Sequence, residues 1–127
     1  MAVGGYESGG RGSKEAAADL SALQYRAIKL DADGKAAQST AAADVCYGIL
    51  QNKPAAGETA EVAHSGPSKA EIGAAVNEGA ILVSSADGQL VPVSGADEYG
   101  LCQAVTAGAA AGEVIDVIIT HNGLDSN

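Results

Sequence analysis

The chain has 127 residues and a formal net charge of −9, with 7 Lys and Arg against 16 Asp and Glu, 4 Tyr, and neither Phe nor Trp. Its length suits one domain. Its acidity argues against direct binding of nucleic acid, whose phosphates need a cationic face, and no run reaches the ~20 consecutive apolar residues of a membrane span.

The start, Met1-Ala2-Val3-Gly4-Gly5, has no basic region followed by an apolar one, so a cytosolic product without a leader is expected. Residues 1–20 hold five glycines, mixed charge and the isolated Tyr6, with no strand or helix period before Lys14. They predict a flexible N-terminal arm. It is either an idle terminus or a segment that orders on a partner, with Tyr6 and Arg11 as anchors.

From Gln24 the pattern turns to β. Tyr25, Ala27, Ile28 and Leu30 lead into Asp31-Ala32-Asp33-Gly34, where Asp-Gly supplies a tight hairpin turn. The return through residues 35–43 is Ala-, Ser- and Thr-rich and weakly specified. Residues 45–50 predict a strand, 52–57 a turn, and 58–64 an alternating strand with Ala60 and Val62 on one face and Thr59, Glu61 and Ala63 on the other. Between 65 and 79, Ser68 with Glu71 has capping-box spacing, and Ile72, Ala75 and Val76 share a helical face. A short helix ending at Gly79 is expected there, with an irregular β crossover as the alternative. Residues 80–93 form a hairpin around Asp87-Gly88, and Pro92 demands an edge position or a bulge.

The last strand differs from its counterpart. Val114, Asp116 and Ile118 stand on one face and Ile115, Val117 and Ile119 on the other, so both faces are apolar except at Asp116. Such a strand belongs either at the centre of the fold or at a contact between subunits, which makes Val114, Asp116 and Ile118 the subunit-interface candidates. The 46 % hydrophobic content is mostly Ala. Alanine buries few methylenes, each worth about 0.8 kcal/mol, so a homo-oligomer is expected to add burial.

Three features recur in one order. An apolar run closes on Ala-Asp-Gly at Gly34 and Gly88, Tyr-Gly follows at Tyr47 and Tyr99, and Gly-Glu follows at Gly57 and Gly112, with offsets of 54, 52 and 55 residues. Two copies of one small β unit are expected, at about residues 24–66 and 79–123, within a single β domain of residues 21–127. The fold class is mainly β: a small barrel or sandwich built from two similar units, with at most one short helix and the arm.

Reactive chemistry has little support in the pattern. Asp31-Ala32-Asp33-Gly34 begins like a calcium loop, but the EF-hand glycine and the closing glutamate fall on the wrong positions. His64 and His121 lack ligands at metal spacing. Gly9 to Lys14 lacks phosphate-loop spacing, and no nucleophile motif is present. Cys46 and Cys102 read as small buried thiols rather than a disulfide. No enzyme, cofactor or metal is expected.

The order of pieces, above all Gly48-Ile49-Leu50-Gln51-Asn52-Lys53-Pro54 with Gly57-Glu58, and Gly79 with Asp87-Gly88, resembles tailed-bacteriophage capsid cement, or head decoration, proteins over about residues 24–120. The resemblance implies a small β-rich virion protein, made in the host bacterial cytoplasm. It would bind the major capsid protein on the outer capsid surface and stabilise the expanded shell without catalysis. It also implies a small homo-oligomer, a trimer being favoured, and an arm whose Tyr6, Arg11 and Lys14 touch the capsid. A carbohydrate- or ligand-binding β module of a phage tail or surface fibre is the alternative.

Overall fold

The computed structural model describes residues 10–124. It contains ten strands: β1 (Arg11–Glu15), β2 (Ala27–Leu30), β3 (Ala36–Gln38), β4 (Gly48–Leu50), β5 (Thr59–Ala63), β6 (Gly66–Glu71), β7 (Ile81–Ser84), β8 (Leu90–Pro92), β9 (Tyr99–Ala104) and β10 (Val114–Leu124). The first sheet has the order β1-β5-β4-β2-β3 and the second β6-β10-β9-β7-β8, and every strand pair is antiparallel. The two sheets form a small sandwich and do not close into a barrel. Among the described residues there is no helix.

The two sheet orders are the same order, so the duplication is real and each unit contains five strands. It extends to single hydrogen bonds. The Asp31 N–H bonds the Lys35 carbonyl as Ser85 bonds Gln89; Leu50 bonds Arg26 as Ala104 bonds Ala80; Leu20 bonds Pro54 as Val76 bonds Gly108. The Asp44 carboxylate accepts from the Thr40 and Ala41 N–H groups, and Glu98 accepts from those of Ser94 and Gly95. In these pairs the second member follows the first by 54 to 56 residues.

Three expectations are corrected. The arm of residues 1–20 is part of the sheet from Arg11 onward: β1 pairs with β5 from Arg11↔Ala63 to Glu15↔Thr59, and Ala16 and Leu20 are buried. The helix expected between Ser68 and Gly79 begins instead as strand β6, whose burial alternates with a period of two and which pairs with β10. The capping residues are used elsewhere: Ser68 donates to the Lys69 carbonyl and accepts from Gln51, while Glu71 is held by Arg26 and Gln89. Third, the two Tyr-Gly pairs are not equivalent. The pairing Leu50↔Val62 corresponds to Ala104↔Val117, which places Leu101-Cys102 where the first unit has Tyr47-Gly48. A shift of two residues keeps each side chain on its face, so the mismatch leaves the alternation intact.

Pro92 lies in β8, an edge strand, as its missing N–H requires. On β5, Ala60 and Val62 are buried and Thr59 and Glu61 are exposed; Ala63 is buried on the opposite side from Val62. This divides the core. Ile28, Leu50, Ala60 and Val62 pack with Ala16, Leu20 and Ala36 inside the first unit. Ala27, Ile49 and Ala63, on the other face, join a larger cluster with Leu82, Leu101, Ile115, Val117 and Ile119 of the second unit. The first sheet is thus covered on one face and, at Ala27, Ile49 and Ala63, on part of the other, where Thr59 and Glu61 stay exposed.

Candidate functional site

Polar contacts join the two units at the entry to β2. Residues 24–26 enter β2 and are bonded to both units. Gln24 donates to the Gln51 carbonyl, the Tyr25 N–H bonds Leu50, and the Tyr25 carbonyl accepts from Glu71. Tyr25 takes a left-handed conformation, φ 71°, which costs a non-glycine residue energy and persists because both neighbours fix it. The Arg26 guanidinium bonds both oxygens of Glu71, at 3.4 and 3.1 Å, and the Asp87 carbonyl at 3.2 Å. A cavity of about 330 Å³ opens here, lined by Ser21, Gln24, Tyr25, Lys53, Glu71 and Val114.

A second junction joins the ends of the sheets. Tyr47 packs on His64 with ring centroids 5.4 Å apart, and Tyr99 on His121 at 5.9 Å. The His121 Nε2 lies 2.7 Å from the His64 carbonyl and its Nδ1 lies 2.6 Å from the Tyr99 hydroxyl. A carbonyl can only accept, so Nε2 carries the proton and Nδ1 accepts from the tyrosine. Burial raises the Tyr99 hydroxyl above its ordinary pKa. These bonds tie Tyr99 to His121 and His121 to the His64 carbonyl of the first unit. Sequence reasoning noticed each residue but could not pair them, because Tyr47 and His64 flank β4 and β5 while Tyr99 and His121 lie on β9 and β10.

Both thiols are free and buried, as expected. Burial pushes the Cys46 thiol up to about 11 and moves Cys102 in the same direction, so both are protonated and inert at neutral pH. Among the described residues, no three His, Cys, Asp or Glu side chains converge to hold a metal.

Of the expected capsid contacts, Tyr6 lies outside the described residues. Arg11 and Lys14 both sit on edge strand β1, but on opposite faces, so they do not make one patch; Arg11 bonds Gln51 at 3.0 Å. The three subunit-interface candidates do come together. β10 is central in its sheet, between β6 and β9, with Ile115, Val117 and Ile119 buried beneath it. On its other face Val114 is 46 % and Ile118 40 % exposed. Between them Asp116 pairs with Lys69 across the strands at 2.6 Å, and this bond holds the Lys69 ammonium above its ordinary range. Within the chain, β10 is therefore buried on one face only.

No protein-family model matches the chain, and no curated protein sequence is similar enough to count as a relative. Among solved structures it is similar to the N base of head fiber gp8.5 in bacteriophage phi29, with a TM-score of 0.68 over 91 % of this chain and 97 % of that one. The two share 16 % sequence identity, so the likeness is one of fold.

Proposed function

We propose that this chain is a structural protein of a phage virion that binds the major capsid protein on the outer capsid surface and stabilises the expanded shell as a small homo-oligomer, with three copies favoured. The observation that carries this reading is the match of nearly the whole chain to the base of a phage head fiber. The hydrogen bonds that tie the two units together at Arg26 and His121 support a mechanical role, and so does the acidic composition, which keeps a coat protein soluble at high local concentration. The mechanism is mass action: a protein that binds only the expanded arrangement of capsid subunits stabilises that arrangement and no other. Tyr6, Arg11 and Lys14 are the proposed capsid contacts, with β1 fixing the last two.

Co-sedimentation with expanded shells and with unexpanded procapsids tests the reading. Saturation at a fixed ratio on expanded shells alone supports it, and absence from both pellets refutes it. Removing residues 1–9 is expected to weaken that binding. A second reading, a carbohydrate-binding fibre module, draws on the cavity beside Tyr25, where an aromatic ring, amides and both signs of charge meet at a unit boundary. A saturable change in tyrosine fluorescence on adding saccharides favours it.

A further inference from the structure

The contact between the two units has two sides, and the duplication gives each side an unused twin. On the first unit the contact is a seat formed by Ala27, Ile49 and Ala63, which are at most 1 % exposed. Their equivalents in strand register are Ile81, Gln103 and Ile118, which are half-buried or exposed. On the second unit the contact is a tongue, the 85–88 turn. The Ala27 N–H bonds the Gly88 carbonyl at 2.7 Å, and the Asp87 carbonyl accepts from Arg26 and Gln38. Its equivalent is the turn at 31–34, whose Gly34 faces open space while Gly88 is buried.

Four of the exposed apolar side chains follow the same division. Five large ones are exposed among the described residues: Leu30, Val45, Val105, Val114 and Ile118. Leu30 abuts the free turn and corresponds to buried Ser84, beside the seated turn. Val45 corresponds to Tyr99, whose N–H reaches across the units to the Ala42 carbonyl at 2.7 Å. Val105 and Ile118 correspond to Gln51 and Ala63, which lie in the covered contact. Val114 lies on the same face of β10, and its equivalent Thr59 is also exposed.

We infer that copies of this chain associate head to tail through a repeat of the internal contact, the 31–34 turn with Leu30 and Val45 of one copy seating on the Ile81, Val105 and Ile118 face of the next. Such a contact is heterologous: each copy offers one tongue and one seat, and a closed ring leaves neither open. The seat between copies has Gln103 where the internal one has Ile49, but it lacks the two polar donors of the internal seat. Ala80 and Pro92 stand where Arg26 and Gln38 bond the Asp87 carbonyl, so the association depends on apolar burial and resists salt. The inference rests on the duplicated fold and stands apart from capsid binding.

The test uses the full chain and two variants, Val45→Asp in the tongue and Ile118→Asp in the seat, with masses read by sedimentation velocity and folding checked by circular dichroism. The wild type is expected as a closed oligomer and each variant alone as a monomer. An equimolar mixture is expected as a dimer, because one intact tongue then meets one intact seat. A monomeric wild type overturns the inference, as does a seat variant that dissociates while the tongue variant does not, or a mixture that stays monomeric. Val105→Asp replaces Ile118→Asp if that variant fails to fold.

Discussion

Replacing Arg26 with Met tests how the two units are held together. The methionine keeps the unbranched apolar stem and removes the guanidinium, which bonds Glu71 twice and the Asp87 carbonyl once. The Arg26 and Glu71 side chains are 22 % and 19 % exposed, so the pair is largely sheltered but still screened. Charge-assisted bonds of this kind contribute about 1.5–3 kcal/mol each when buried, and partial solvent access brings the expected total loss to about 2 kcal/mol. Glu71 keeps its 2.6 Å bond from Gln89, which limits the penalty of stranding a carboxylate. In a domain of this size the loss corresponds to a fall in melting temperature of roughly 8 °C. Thermal and urea unfolding followed by circular dichroism measure it. A double-mutant cycle with Glu71→Gln is expected to return a coupling of about 1 kcal/mol, smaller in high salt. A loss below about 0.5 kcal/mol, or an additive cycle, refutes the claim that this ion pair joins the units.

Four further outcomes are expected. Leu50→Ala should cost about 2–5 kcal/mol in urea unfolding because Leu50 is fully buried, whereas Ile118→Ala, on the exposed face of β10, should cost the monomer under about 1 kcal/mol. Gly12→Val should destabilise by about 1–3 kcal/mol in the same assay, since the added Cβ meets the Tyr47 hydroxyl and ring against a strand backbone that cannot withdraw. Removing residues 1–15 should lower stability sharply because it deletes β1, while removing residues 1–9 should shift the melting temperature little. The thiols set a pH dependence: burial raises the folded pKa of Cys46 from 9.0 to about 11 and raises Cys102, so their contribution is fully present below the unfolded pKa. Stability should fall as pH rises above that value and Cys46→Ala should flatten part of the slope; a level profile from pH ~8 to ~10.5 counts against the buried-thiol assignment.

The hairpins, the Asp-Gly turns, the edge position of Pro92 and the duplication itself were legible in the sequence, because each rests on local turn chemistry or on a missing donor. The two strands that escaped it are the same strand in both units. β1 and β6 lie at sheet edges with water on one side, and residues 11–15 and 66–71 carry too few apolar side chains to show a period of two. In β6, Ser68 and Glu71 also imitate a helix start, and only the cross-unit partners Gln51 and Arg26 reveal their use. The face of Val114, Asp116 and Ile118 was visible as an apolar alternation. That it is left uncovered could not be read, since this depends on where the first unit packs. The Tyr-Gly repeat misled by two residues because strand geometry has the same period of two.

The claim that the chain reinforces a phage shell is tested most directly by calorimetry of expanded capsids with increasing amounts of the purified protein. The account predicts that the shell's unfolding transition moves to higher temperature as the protein is added, continuing upward with the logarithm of free protein after the sites fill. A shell transition that stays in place at saturating protein contradicts it.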